Sequence, residues 1–269
     1  MRPAPTDQRP YPGGVSPRYR GAMSRAALPI VVGVDGSRAA LNALGWAVPE
    51  AVHLDVPLRI VHAVPDGAQH SPHTNSVVAA AEAEATRAGR TIRFESVRIE
   101  GDPGDVLVAE SARAQMVCIG VPSRERLEGR LFGPVSAALA SGAQCPVALI
   151  RSDSAGSICD TGVISVVLDD DPDNDSVVHL AMQEGRLRDA TVRQVDRRLD
   201  SWVRRYPDVH VETVAAGSGR AYSELHPDRQ HVQLAVVGHT DADRITDLEV
   251  PNCHPILGYP DCSVLLVRR

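Results

Sequence analysis

The sequence predicts an α/β protein of two tandem doubly wound domains, each with a five-stranded sheet of the parallel type. Short apolar runs alternate with helical patterns through the first half of the chain, which is typical of this fold class. A weaker copy of the same series follows in the second half, and a repeat of this size indicates two similar units. Aromatic residues make up only 3% of the chain, so small aliphatic side chains must fill the core, as they do where helices cover a buried parallel sheet.

The first half opens with a strand and a capped helix. The run IVVGV at 30–34 predicts a buried strand, and Ser37 is placed to cap the helix that follows. Apolar residues recur at spacings of three and four between 41 and 52, which predicts one buried helix face. Pro49 lies inside this pattern and predicts a kink or an early end of the helix.

Strands and helices continue to alternate after this helix. LRIVHAV at 58–64 predicts the second strand, the Ala- and Glu-rich stretch 76–90 a helix, and 91–99 the third strand. Asp102 is a candidate N-cap, and Pro103 suits the first position of the next helix.

The last elements of the first half flank a polar loop. MVCIG at 116–120 predicts the fourth strand, 134–142 a helix, and CPVALIRS at 145–152 the fifth strand. The runs ISVVLDDD, VHVETVAAG, LAVVG and CSVLLVR repeat first-half strands in order. We therefore expect a tail over 1–27, a first domain over 28–152, a linker near 152–160 and a second domain over 160–269.

Composition excludes several classes of protein. The net charge of −6 does not indicate the basic surface that binds a nucleic acid. No apolar run approaches the roughly 18 residues of a membrane helix. All 28 basic residues are arginine, which excludes Walker-type phosphate loops and Schiff-base lysines. Five cysteines without a CxxC pair fit the reduced thiols of a cytoplasmic protein. The N-terminus, rich in Pro, Gly and Arg, lacks the apolar stretch of a signal peptide and predicts a disordered basic tail.

The ordered set of motifs resembles the universal stress proteins in their tandem two-domain form, as found in actinobacteria. VVGVDGS, VHAV, EGDPGD, the loop from Gly120 to Gly133 and CPVALIR carry the resemblance over nearly all of 28–152, and 162–269 matches more weakly. The resemblance implies an adenine nucleotide alpha hydrolase-like fold. It also implies a role in the stress response.

Nucleotide-binding members of that family, whose usual ligand is ATP, carry a glycine motif. It reads glycine, two residues, glycine, nine residues, glycine, then Ser or Thr. Gly120 and Gly133 hold the first and last glycine positions here, whereas Ser123 and Pro134 replace the middle glycine and the hydroxyl residue. The resemblance implies an adenine nucleotide site, with Mg²⁺ as a companion of the phosphates, formed by Val34, Asp35, Ala63, Gly120, Ser123, Gly133, Val135 and Ser136.

The departures from the motif leave two readings open. Ser123 restricts positive φ, and Pro134 removes one N–H and one hydroxyl, while each charge-assisted hydrogen bond lost costs roughly 1.5–3 kcal/mol. Arginines at 124, 126 and 130 could add positive charge. The first reading is a stress-response regulator that binds ATP and hydrolyses it slowly at most. The second is an interaction protein with a degenerate loop that acts through a protein partner.

The second copy is poorer in site residues. Asp241 stands at the middle glycine position and Pro251 at the last, and only Asp169 survives from the set. We expect this half to be a packing partner for the first. Single-domain relatives pair through their last strands, so the repeat could satisfy that pairing within one chain, and a further homodimer stays open.

The remaining candidates have ordinary structural explanations. Alternate aspartates in 171–175 resemble a calcium loop, but the loop's glycine and final glutamate are missing, which favours a solvated acidic turn. His62 is expected to be a core residue, and His70 and His73 to lie in a surface loop. Cys118 and Cys145 border strands and are expected to be buried.

Overall fold

The computed structural model of the chain describes residues 27–88, 92–122, 132–167, 174–194, 206–213, 231–238 and 262–268. The expected tail lies outside these residues, apart from residue 27. No helix within the described ranges is long and apolar enough to cross a membrane.

The described elements follow the alternation that the sequence predicts. In the first half they are β1 (Ile30–Gly33), α1 (Arg38–Leu54), β2 (Leu58–Val64), α2 (Pro72–Arg87), β3 (Phe94–Glu100), α3 (Pro103–Ser111), β4 (Met116–Val121), α4 (Pro134–Gly142) and β5 (Val147–Arg151). In the second half they are β6 (Val163–Val167), α5 (Asn174–Leu187), β7 (Val192–Gln194), β8 (Val211–Thr213), β9 (Val232–Val237) and β10 (Ser263–Leu266).

The ten strands within the described residues join in one continuous sheet, in the order β3-β2-β1-β4-β5-β10-β9-β6-β7-β8. Each half contributes five parallel strands, as predicted. The two halves meet where β5 and β10 pair antiparallel, with Leu149 opposite Val264. The last strands of the repeat therefore pair with each other inside one chain. The bounds of the two domains remain a prediction.

Helices cover both faces of the first half of the sheet. Buried residues of α1 and α2 pack on one face, where Leu44 and Val77 belong to the same core cluster as Ile60. Buried residues of α3 and α4 pack on the other, where Leu107 and Leu139 share a cluster with strand residues. With both faces covered, the strands are almost continuously apolar, as is typical of parallel sheets.

The predicted helix caps are present. Ser37 Oγ accepts from Ala40 N–H at 3.1 Å. Asp102 Oδ1 accepts from the N–H groups of Gly104, at 2.8 Å, and Asp105, at 3.3 Å. These bonds satisfy first-turn donors that have no partner within the helix, so both helices begin at fixed points.

Of the two outcomes predicted at Pro49, a kink or an early end of the helix, the early end does not occur, because α1 continues through Pro49 to Leu54. Pro49 leaves the carbonyl of Gly45 without its intrahelical donor. Gly45 is exposed, and a side chain there would meet open space, so solvent has access to this turn of the helix. Buried residues on both sides of Pro49, among them Val48 and Ala51, hold the helix on the sheet.

The helix predicted over 76–90 begins four residues early, at Pro72. Ser71 Oγ accepts from Thr74 N–H at 3.1 Å, and Pro72 occupies the first helical position. The expectation of a surface loop at His73 is therefore wrong, because His73 lies in the first turn of α2.

Candidate functional site

A cavity of about 210 Å³ opens at the carboxyl ends of β1 and β4. These strands are neighbours, and the chain leaves them towards opposite edges of the first half's sheet. Ligands of open α/β sheets bind at such a switch point. The described lining residues are mostly small or apolar: Gly33, Val34, Asp35, Ala40, Val61, Ala63, Pro103, Leu107, Ile119, Gly120, Val121, Pro122, Gly133, Pro134, Val135 and Ser136.

Residues predicted for the site from four separate segments meet at this cavity. They are Val34, Asp35, Ala63, Gly120, Gly133, Val135 and Ser136. Ser123 lies outside the described residues, as do the loop arginines. Their meeting follows from parallel pairing, which brings the carboxyl ends of β1, β2 and β4 to one edge.

Hydrogen bonds fix the end of β1. Val34 N–H donates to the Val61 carbonyl at 2.9 Å, and His62 Nδ1 donates to the Val34 carbonyl at 2.7 Å. His62 is only 7% exposed, so it is a core residue whose bond holds the strand end in place. This arrangement sets the direction in which the chain leaves β1 for Asp35.

Asp35 is the only ionisable residue among the described residues that line the cavity. One carboxylate oxygen, Oδ1, accepts from Ser37 N–H at 2.9 Å across a turn in which Gly36 has φ of +85°. Glycine suits this left-handed position because it has no Cβ. The turn holds an exposed carboxylate at the mouth of the cavity, where it can accept hydrogen bonds from hydroxyl groups of a ligand.

Packing explains the glycine at 120. A Cβ on Gly120 would lie 2.1 Å from the Ala39 carbonyl carbon and 2.4 Å from Ala40 N. Real Cβ atoms do not approach backbone so closely, so glycine lets the start of α1 lie directly over β4. Gly120 therefore has a structural role whether or not a ligand is bound.

Gly133 has a different environment from Gly120. It is the N-cap of α4, with φ of −86° and ψ of 177°, an extended conformation open to any residue. Its carbonyl accepts from Ala137 N–H at 3.0 Å, and no side chain caps the helix there. The first-turn N–H groups of Val135 and Ser136 have no intrahelical partners, and both residues line the cavity, while Pro134 contributes no N–H.

The start of α3 forms a wall of the cavity that the sequence reasoning missed. Pro103 and Leu107 line it, and the cap at Asp102 fixes their position. α3 packs closely on α4, because a Cβ on Gly104 would lie 2.9 Å from Ala138 Cβ. The EGDPGD motif was the available signal, since it starts a helix at the edge of the sheet where the other site residues meet.

Comparison with known proteins agrees with this fold and the tandem repeat. The sequence model of the universal stress protein family matches residues 28–151. Universal stress protein Rv2624c of Mycobacterium tuberculosis is 35% identical over 263 residues, covering 89% of this chain and 96% of its own. The chain belongs to the universal stress protein family. Universal stress protein Rv3134c of the same organism is 34% identical over 277 residues, covering 91% and 97% of the two chains.

A solved universal stress protein shares the fold over most of the chain. A protein from Archaeoglobus fulgidus matches with a TM-score of 0.61 and 15% identity, covering 90% of this chain and 97% of its own. A universal stress protein solved in complex with cAMP matches with a TM-score of 0.38 and 28% identity, covering 47% and 98% of the two chains.

The other candidates divide between described and undescribed residues. Asp175 lies in the first turn of α5, whereas Asp171 and Asp173 of the calcium-like stretch, like Asp169, Asp241 and Pro251, lie outside the described residues. Cys118 and Cys145 are buried, as expected. Burial raises the pKa of the Cys118 thiol well above its ordinary value and that of Cys145 to about 12. Neither thiol is therefore a ready nucleophile.

Proposed function

We propose that this universal stress protein binds an adenine nucleotide, ATP with Mg²⁺, in the cavity of its first half and acts as a stress-response regulator. The main support for this proposal is that one cavity, at the switch point of the sheet, is lined by Asp35, Ala63, Gly120 and the start of α4. These residues come from four separate segments of the chain. We place this activity in the cytoplasm, where ATP is present and cysteines stay reduced.

The chemistry of the lining fits an adenine nucleotide in two parts. Small and apolar groups such as Ala63, Val61 and Leu107 suit the faces of a purine, and the Asp35 carboxylate suits ribose hydroxyls. The N–H groups of Val135 and Ser136, at the positive end of α4, suit phosphate oxygens. Mg²⁺ would accompany the phosphates, since one carboxylate alone makes a poor protein cage for it.

Binding without rapid chemistry is the expected behaviour. Within the described lining, Asp35 is the sole ionisable group, and no histidine or thiol is placed to act as its partner in proton transfer. We therefore propose that hydrolysis is slow at most and that the bound nucleotide changes stability or recognition.

A second function, docking of a protein partner without a nucleotide, is favoured by two observations. Packing against Ala39 accounts for Gly120, and Pro134 removes a donor from the α4 terminus. On this alternative the cavity is what remains of an ancestral site.

Calorimetric titration with Mg·ATP distinguishes these functions. We expect micromolar binding by the natural chain and a loss of about a hundredfold in Gly133→Val, because a branched side chain at the N-cap would occupy space beside the phosphates. The matched control is Gly45→Val, whose side chain enters open space on α1. It should bind as the natural chain does.

Absence of heat and of thermal stabilisation up to millimolar ATP would contradict the proposal. In that case the search should turn to a protein partner. Equal affinity of the natural chain and Gly133→Val would place the nucleotide elsewhere.

A further inference from the structure

The largest fully buried side chain described in the protein belongs to Arg151, the last residue of β5. It is 2% exposed, although its charge is costly to bury. Arg151 does not line the cavity. It pairs in register with Val121 of β4, and Ser152 N–H donates to the Val121 carbonyl at 3.0 Å. Arg151 is thus fixed directly beside β4, the strand that precedes segment 123–131.

The Arg151 guanidinium contacts the residues on both sides of segment 123–131. Its Nη1 lies 3.5 Å from the Pro122 carbonyl oxygen, just after β4. Its Cζ lies 5.6 Å from the centre of the Phe132 ring, just before Gly133. This distance is within the range of a cation–π contact. One buried side chain therefore contacts both the end of β4 and the residue before the N-cap of α4, and so fixes their relative position.

The backbone of Arg151 is in turn held by the second half. The β5–β10 pairs run from Val147 opposite Leu266 to Leu149 opposite Val264. Two residues beyond Leu149, Arg151 N–H donates to Ser263 Oγ at 3.2 Å. Ser263 is the first residue of β10 and is 4% exposed. A continuous path of contacts joins β10 to the rim of the cavity.

We propose that Arg151 is a positioning residue for the phosphate side of the first-half site, and that β10 supports it through Ser263. The proposal rests on the proposed nucleotide function. Arg151 sets the distance between Pro122 and Phe132, and so the placement of the N–H groups that follow Gly133. The second half then contributes to ligand affinity without holding a ligand of its own.

The test compares Arg151→Met, Arg151→Lys and Ser263→Ala with the natural chain. Titrations with Mg·ATP and with adenosine separate the phosphate side from the base side. Arg151→Met should weaken ATP binding about tenfold or more and leave adenosine binding within about twofold. The ATP affinity of Arg151→Lys should lie between those of the natural chain and Arg151→Met, because an ammonium keeps the charge but loses the planar stacking on Phe132. Ser263→Ala should weaken ATP binding about two- to threefold.

The matched control is Arg268→Met. Arg268 ends the equivalent CSVLLVR run of the repeat, and its Nε donates to the Ala143 carbonyl at 3.2 Å, beyond the far end of α4. Its ATP affinity should stay within about twofold of the natural value. Thermal melting and far-ultraviolet circular dichroism show whether each variant is folded at the titration temperature.

A second readout does not depend on nucleotide. Trypsin cleaves after arginine, and the segment 123–131 contains three arginines. Without the contacts to Pro122 and Phe132, Arg151→Met should be cut there several times faster than the natural chain and Arg268→Met, as mass spectrometry of the fragments would show.

The proposal requires both faster cleavage and selective loss of ATP affinity. Unchanged cleavage, or equal losses of ATP and adenosine affinity, would overturn it. If the natural chain binds neither ligand, the proposed function fails on its own, and the cleavage rate alone decides whether Arg151 positions the segment.

Discussion

Arg188 Nη2 of the second half lies 2.6 Å from Glu50 Oε1 of the first half, and both side chains are largely buried. The guanidinium carbon also lies 4.3 Å from the centre of the Trp46 ring. A second buried carboxylate, Glu184 Oε2, lies 3.1 Å from Arg188 Nη2 without hydrogen-bond alignment. Two acids and one arginine thus meet where α1 faces α5. If both acids were ionised, their two negative charges would exceed the single positive charge of Arg188.

Glu184 is expected to make stability depend on pH. Burial, then the neighbouring Glu50 carboxylate, raise the pKa of Glu184 from an ordinary value of 4.5 to about 8, against the opposing effect of Arg188. The folded state therefore keeps a proton that the unfolded chain releases. The stabilisation is complete below the unfolded pKa near 4.5 and is lost as the pH rises through about 8. Urea unfolding across this range should show a falling free energy of unfolding.

Glu184→Gln is the control for that dependence, because glutamine keeps the shape of the protonated acid. Its free energy of unfolding should vary less with pH between the same limits. A pH slope equal to that of the natural chain would show that another group titrates.

Removal of Arg188 should be costly. Arg188→Met leaves the buried Glu50 without its positive partner, and breaking a buried ion pair costs about 3–5 kcal/mol. Chemical denaturation measures the loss. Arg186→Met is the comparison, since Arg186 pairs with Asp208 at the surface, where solvent screens the charges, and its loss should be much smaller. Similar effects of the two substitutions would argue against a special role for the buried cluster.

Gly120→Ala should destabilise the fold in the absence of any nucleotide. The new Cβ would overlap the backbone of Ala39, so α1 must shift from β4, at a cost of about 3 kcal/mol or more. The matched position in the repeat is Gly238, where a Cβ would lie 3.5 Å from Val177 Cγ2, an ordinary contact. Denaturation of both variants without ligand should show a large loss only for Gly120→Ala. If Gly120→Ala and Gly238→Ala lost the same free energy of unfolding, the start of α1 would have to be free to move away from β4.

Pro134→Ser should strengthen nucleotide binding. Serine restores a backbone N–H and a hydroxyl at the start of α4, and one added charge-assisted hydrogen bond corresponds to about a tenfold gain in affinity. Calorimetry with Mg·ATP measures it. Pro72→Ser is the control, because Pro72 holds the same first helical position in α2, outside the cavity lining. A gain in both variants, or in neither, would contradict a phosphate position at α4.

Much of the first half was predictable because its signals are local. The helix predicted over 134–142 spans those residues in the structure, and the caps at Ser37 and Asp102 are where the sequence places them. Errors arose where local signals competed. Pro49 predicted a kink or an early end of α1, but the helix does not end there, because burial on both sides of Pro49 outweighs the loss of one hydrogen bond.

The candidate site was predictable in part for a different reason. Asp35, Ala63 and Gly133 stand at strand ends and a helix start, and parallel topology brings such points together. Pro103 and Leu107 were missed, because their place in the wall depends on how closely α3 packs against α4.

The sequence by itself determined the alternation of elements, the repeat and the pieces of a nucleotide motif, because periodicity, caps and spacing are written along the chain. Only the tertiary structure decided that β5 and β10 join the halves and that packing of α1 explains Gly120. It also decided that Arg151 is buried at the end of β5 and that Arg188 pairs with Glu50 across the two halves. These features depend on close approach between residues far apart in sequence. No local sequence pattern predicts which backbone segments will pack together or which charged side chains will pair.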